Sequence, residues 1–152
     1  MINKTTAQQI VDTVKDVCGH DINFINEKGL ILASTNPSRI GTFHEGGQKV
    51  ISAGTTLEVF ESDTLLGTQK GVNIPVYHKG SLAAVIGISG DPQEVRIYAH
   101  LAERITLLLI REQELNAASR TLAEKKNHLL QLLLSNDREL TARLSEELKA
   151  FH

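Results

Sequence analysis

The order of apolar and polar residues along the chain falls into elements of two periods, one helical and one extended. Residues 5–18 place Ile10, Val11, Val14, Val17 and Cys18 at helical spacing, with Gln9, Asp12, Lys15 and Asp16 opposite. Thr5 or Thr6 is the expected cap of this helix, and Gly19 its stop. Asp21-Ile22-Asn23-Phe24-Ile25 and Leu30-Ile31-Leu32-Ala33-Ser34 then flank the turn Asn26-Glu27-Lys28-Gly29, the pattern of a β-hairpin. Pro37 ends the second strand. Residues 44–53 predict a short helix with Val50 and Ile51 inward and Gly54 as its stop. Residues 55–60 predict an edge strand with Leu57 and Val59 on one face, and residues 61–70 a loop. A second hairpin is expected from residues 72–77 and 82–89 around His78-Lys79-Gly80. Its later strand is apolar on both faces (Leu82, Ala84, Ile86 and Ile88 against Ala83 and Val85), so it should lie centrally, with helices covering one side.

Ser89-Gly90-Asp91-Pro92-Gln93-Glu94 reads as a helix start: Asp91 caps, Pro92 suits the first helical position, and Glu94 completes a capping box. No proline or glycine follows Pro92, so the helix is expected to run from residue 92 past residue 130. Leucine recurs every seventh residue, at Leu101, Leu108, Leu115, Leu122 and Leu129, as in a helix that packs lengthwise on a partner. Four residues after each come Ile105, Glu112, Ser119, Lys126 and Leu133, apolar only at the two ends. Two readings stand: a second copy of the chain docks along this helix, or residues 92–110 cover the domain's own sheet and the remainder is a linker. Residues 137–152 are charged and helix-prone, and read as the start of a linker to a further region.

At 152 residues the chain suits one globular core with an appended helix. With no Trp and 4% aromatic residues, Ile, Leu and Val must fill that core. Net charge is −2; residues 1–99 carry 8 basic and 10 acidic side chains, and residues 100–152 carry 8 of each. Such a balance offers no basic stripe to neutralise a phosphate backbone. Cys18 is the single cysteine, at the end of an apolar stripe, which points to packing and a reducing compartment. No apolar run reaches the ~20 residues of a membrane span, and a cytoplasmic location is expected.

Candidate chemistry gathers in Arg39-Ile40-Gly41-Thr42-Phe43-His44-Glu45-Gly46 and Lys70-Gly71-Val72-Asn73-Ile74-Pro75-Val76. Both place cationic or amide side chains beside glycines and next to apolar runs. A carboxylate can thus be gripped by side chains and by backbone N–H groups on a rigid base. The histidines lack metal-ligand spacing, and no nucleophile elbow, phosphate-cradling loop or Cys/His dyad is present. No metal or cofactor is expected. A minor enzymatic reading remains, a small isomerase using His44 and Glu45 as a proton-transfer pair.

With Ala7-Gln8-Gln9-Ile10-Val11, Gly71-Val72-Asn73-Ile74-Pro75 and Val85-Ile86-Gly87-Ile88-Ser89-Gly90-Asp91-Pro92 added, residues 4–136 resemble the sugar diacid recognition domain. This is the N-terminal effector-sensing module of the carbohydrate diacid regulator family of bacterial transcription factors. The resemblance implies an α+β, PAS-like or GAF-like domain: an antiparallel sheet, flanking helices and a long C-terminal helix. It implies effectors such as glucarate, galactarate or glycerate. It also implies a helix-turn-helix partner domain, so that DNA would be reached only through a region this chain lacks. The chain is therefore expected to be an excised sensor domain or a stand-alone relative. The competing reading is a dimerisation module with no ligand.

Within that reading Arg39 supplies the planar fork for a carboxylate, against the alternative of a surface ion pair with Glu45 or Asp63. His44 can donate to carboxylate or accept from hydroxyl, against a role as helix cap. Free N–H groups of residues 44–47 would point at the same anion. Gly41, Gly46 and Gly47 would let the ligand approach the backbone, and Ile40 is a further candidate for ligand contact. Asn73 can bridge hydroxyl and carboxylate, with backbone groups of Gly71 and Ile74 nearby; the alternative is a turn asparagine. Ser34, Gly87 and Ser89 are further candidates at strand ends, and Glu45 would orient Arg39 or His44. The only other guanidinium in residues 1–99 is that of Arg96, at the start of the long helix, so no second fork is evident and the reading tilts towards a small monocarboxylate.

Overall fold

A computed structural model describes residues 2–62, 64–134 and 138–150. Asp63 and residues 135–137 lie outside the described residues. The chain divides into two units, residues 1–110 and residues 111–152.

The first unit opens with α1 (Lys4–Cys18), whose Ala7, Ile10, Val11 and Val14 form one fully buried face. Its cap is Asn3 rather than Thr5 or Thr6: the Asn3 carboxamide oxygen accepts from the Thr6 N–H at 2.8 Å. Gly19, with φ +74°, closes the helix in the left-handed conformation. Val17 faces solvent, so the apolar stripe ends at Val14 and the half-buried Cys18.

Strands β1 (Ile22–Ile25) and β2 (Ile31–Ser34) form the expected hairpin. A 3-10 turn at Pro37–Arg39 leads into α2 (Glu45–Ala53), β3 (Leu57–Val59), β4 (Gly71–His78) and β5 (Ser81–Ser89). All pairings are antiparallel, in the order β2-β1-β5-β4-β3, so the strand that is apolar on both sides is the central one. Pro75 sits where β4 no longer pairs with β3, which spares its missing N–H.

Helices cover both faces of the sheet, not one. On one side Ile10, Val11 and Val14 of α1 meet Phe24, Val72, Ile74, Ile86 and Ile88. The same core includes Val95, Ala99, Ala102 and Ile110 of α3 (Pro92–Leu133). On the other side Val50 of α2 packs on Ile25, Ile31 and Val85. Burying each such side chain contributes about 1.5–3 kcal/mol, which accounts for apolar residues at both strand phases of β5. Asp91 caps α3 as expected, accepting from the Gln93 N–H at 3.0 Å. Arg96 clamps α3 to β3 through a two-pronged bond to Glu58.

The second unit holds the remainder of α3 and α4 (Arg138–Ala150). Leu101, Leu108, Leu115, Leu122 and Leu129 are all exposed. The stripe of α3 that meets the sheet is a different one, through Val95, Ala99, Ala102, Thr106 and Ile110.

Candidate functional site

The α2 face of the sheet carries one polar row across its hydrophobic floor. Register aligns Ser34 of β2, Asn23 of β1, Gly87 of β5 and Asn73 of β4 as successive cross-strand neighbours. The neighbouring row on that face, Ile31, Ile25 and Val85, is apolar and lies under α2. Asn23 and Asn73 are each 3% exposed. Between them Gly87 has no side chain; a methyl there would lie 2.7 Å from the Asn73 Oδ1 and 3.7 Å from the His44 Nε2. The missing atom thus opens a cleft lined by Asn23, Arg39, His44, Gln69, Asn73, Gly87 and Ser89. It has about 170 Å³ of empty space counted out into its open mouth, of which about 10 Å³ admits the centre of a water molecule, room for about one water.

His44 is held by the chain on both sides of it. Its N–H donates to the Gly29 carbonyl at 2.8 Å, and Phe43 bridges to Leu30, so the segment is laid along the β1–β2 turn. The ring caps α2: Nδ1 accepts from the Gly47 N–H at 2.8 Å. That bond assigns the proton of the neutral ring to Nε2, on the cleft side. Burial, reinforced by the nearby Arg39 charge, pushes the His44 pKa down to about 4. Near neutral pH the ring is therefore an uncharged donor, with a fixed tautomer and 2% exposure.

Arg39 ends the 3-10 turn, which Asn36 caps. Its guanidinium lines the cleft and donates to the Gly67 carbonyl. Partial burial lowers its pKa, opposed by the Asp21 carboxylate. The Glu45 carboxylate, one of the acids considered above, accepts from the Leu66 N–H at 2.6 Å; the other, Asp63, lies outside the described residues.

Hydrogen-bond accounting separates positioning groups from free ones. Ser34 Oγ donates to Asn23 Oδ1 at 2.6 Å and accepts from the Asn36 N–H, so it fixes Asn23 instead of facing a ligand. Gln8 of α1 in turn brackets the Ser34 backbone, donating to its carbonyl and accepting from its N–H. Among the described residues the Asn73 carboxamide, the Asn23 Nδ2 and the His44 Nε2 have no hydrogen-bond partner. Buried polar groups are rarely left so.

Arg39, His44, Asn73, Gly87 and Ser89 are thus brought together. Other candidates are placed elsewhere. Ile40 is exposed beside Gln8 and Leu32 on a different groove. Gly41, with φ +85°, makes a turn whose N–H donates to Ile31. Ile74 points into the opposite core, because it is one residue out of phase with Asn73. Gly71 permits close strand packing: a methyl there would lie 1.9 Å from the Ile88 carbonyl oxygen. The N-terminus of α2 is not an open anion site either. The Glu45, Gly46 and Gly47 N–H groups already bond Leu66 O, Thr68 Oγ1 and His44 Nδ1. Gly46 and Gly47 serve instead to seat Thr68 and Ile25. Asn23 and Gln69 were not anticipated. Asn23 carries a signal in retrospect, a polar residue at an inward phase of Ile22-Asn23-Phe24-Ile25. No cluster of His, Cys, Asp and Glu suited to a metal occurs among the described residues.

The architecture is GAF-like. It is similar to the GAF domain of a phosphoenolpyruvate-protein phosphotransferase from Coxiella burnetii, with TM-score 0.54, 12% identity, and coverage of 77% of this chain and 88% of that one. A family model described as "Putative sugar diacid recognition" matches residues 2–133, and the chain belongs to that family. Its relatives include the carbohydrate diacid regulator of Escherichia coli (strain K12), 30% identical over 111 residues, or 72% of this chain and 29% of that protein. YsfB of Bacillus subtilis (strain 168), an uncharacterized protein, is 32% identical over 108 residues, 70% of this chain and 29% of that protein. The chain therefore aligns with under a third of the length of these two relatives. No helix of the described residues is long and apolar enough to cross a membrane.

Proposed function

We propose that this chain is the effector-sensing domain of a cytoplasmic transcriptional regulator and binds a small hydroxy-carboxylate between Arg39, His44 and Asn73. One observation carries the reading: three side chains over nine-tenths buried hold polar atoms with no hydrogen-bond partner among the described residues, beside a guanidinium. The site is arranged for binding. Arg39 meets the carboxylate, the His44 Nε2–H donates to it or to a hydroxyl, and Asn73 both donates and accepts.

Occupancy would be passed to α3. Ser89 lines the cleft and precedes Gly90 and Asp91, the start of that helix. The Gly90 N–H is tied to the Lys70 carbonyl, adjacent to Gln69. The ligand acts through its different affinity for two positions of this junction. The exposed leucines at Leu101 to Leu129 support pairing with a second copy along α3, and a DNA-binding region beyond this chain would receive the signal.

Thermal unfolding in millimolar glycerate, glucarate, galactarate, glycolate and tartrate tests the binding. At least one acid should raise the midpoint, and Arg39→Ala should abolish the rise. An unchanged midpoint across the panel refutes the sensor reading and leaves an assembly module.

A further inference from the structure

Resting on that binding reading, we infer that the Asn23–Gly87–Asn73 row is a hydroxyl-reading floor that selects a short monocarboxylate with adjacent hydroxyls over a longer diacid. Two features of the cleft lead there.

The first is charge. Among the described residues lining the cleft, Arg39 is the one cation. Arg96 is engaged by Glu58 at the α3–β3 clamp, and Lys79 lies in the β4–β5 turn. His44 is a neutral donor in this setting. A second carboxylate would therefore enter a confined polar site with no opposite charge, an unfavourable transfer. Arg39 itself is held by a carbonyl, that of Gly67. An entering carboxylate exchanges that neutral acceptor for a charged, two-pronged one, which makes the arginine both the closure of the empty cleft and its anion grip.

The second is the floor. Asn23 and Asn73 flank Gly87 on the two strands that pair with β5, one carboxamide on each side of the gap. The Ser34 hydroxyl fixes the Asn23 oxygen, which leaves its Nδ2 as a donor into the cleft. Asn73 retains both donor and acceptor. A hydroxyl group both donates and accepts, so the row matches two hydroxyls on neighbouring carbons, with the carboxylate directed to Arg39. A buried site built to bond a hydroxyl discriminates strongly against an analogue lacking it, because its own polar groups are then left unpaired.

Isothermal titration of the 152-residue chain with glycerate, lactate, propionate and glucarate tests this. Affinity should fall about tenfold from glycerate to lactate and again to propionate, with glucarate weaker than glycerate. Asn73→Leu, an apolar replacement of similar size, should flatten that ladder to within about twofold. Asn23→Ala, on a different strand, should remove a single step and guards against loss of folding in the first variant. Equal affinity for glycerate and propionate, or glucarate binding more tightly than glycerate, overturns the floor while carboxylate sensing stands. If no acid binds, or if binding survives Arg39→Ala, the sensing reading itself fails and the floor with it.

Discussion

Gly87→Ala separates folding from binding more cleanly than any other single change in this domain. Gly87 lies in the central strand with ordinary strand dihedrals, so alanine meets no left-handed strain. The new methyl would stand 2.7 Å from the Asn73 Oδ1, a contact that forces movement, and 3.7 Å from the His44 Nε2 and Ile25 Cδ1, where contact is ordinary. What must move is the end of a side chain, not backbone. Replacing a strand glycine also lowers unfolded-state entropy, which stabilises by about 0.4–1 kcal/mol. The two effects oppose, so net stability should change by less than about 1 kcal/mol. Binding has no such offset. The methyl fills the gap between the carboxamides and turns Asn73 away, which removes hydrogen bonding valued at roughly 1–3 kcal/mol. Affinity for the acid should fall between about 5-fold and about 150-fold. Urea unfolding and isothermal titration on the same preparation measure both quantities. Retained affinity at unchanged stability would refute the placement of the ligand over Gly87.

Three further expectations follow from the same geometry. His44 keeps its proton less tightly in the folded chain, at a pKa of about 4 against 6.5 for the free group, so unfolding takes up a proton as pH falls. Stability should therefore decline between pH 6.5 and pH 4 by roughly 3 kcal/mol; His44→Asn, which retains a capping oxygen, should remove most of that decline in urea titrations at stepped pH. Gly71→Ala should behave opposite to Gly87→Ala, because its methyl would lie 1.9 Å from the Ile88 carbonyl oxygen, which is backbone; a loss of about 3 kcal/mol or more, or failure to fold, is expected in thermal unfolding. For the helix, Leu115→Glu combined with Leu122→Glu should convert a dimer to a monomer by light scattering while the cleft still binds acid; a wild-type monomer at all concentrations would refute pairing along α3.

Local chemistry was enough to place the elements. The Asn26–Gly29 turn, the Asp91-Pro92 start and the Gly54 stop each act within a few residues, and the structure puts a turn or helix end at each. The double-faced apolarity of Leu82 to Ile88 likewise identified the central strand, since only a strand covered on both sides avoids exposing one phase. The short helix over residues 44–53 was expected, but not that it covers a second face of the sheet, because α2 buries few apolar residues, chiefly Val50, against that side.

Site residues divide on the same principle. The sequence determined which groups were chemically capable: a guanidinium, an imidazole at a helix start and an asparagine within an apolar strand. Strand register decided which of them share a surface, by aligning Asn23, Gly87 and Asn73 across three strands and turning Ile74 to the opposite core. Such alignment joins residues some 50 positions apart, beyond the reach of any local pattern. The tertiary structure also consumed the amides at the start of α2, through Leu66, Thr68 and His44. A helix terminus looks open in sequence because the groups that fill it arrive from a loop elsewhere in the chain.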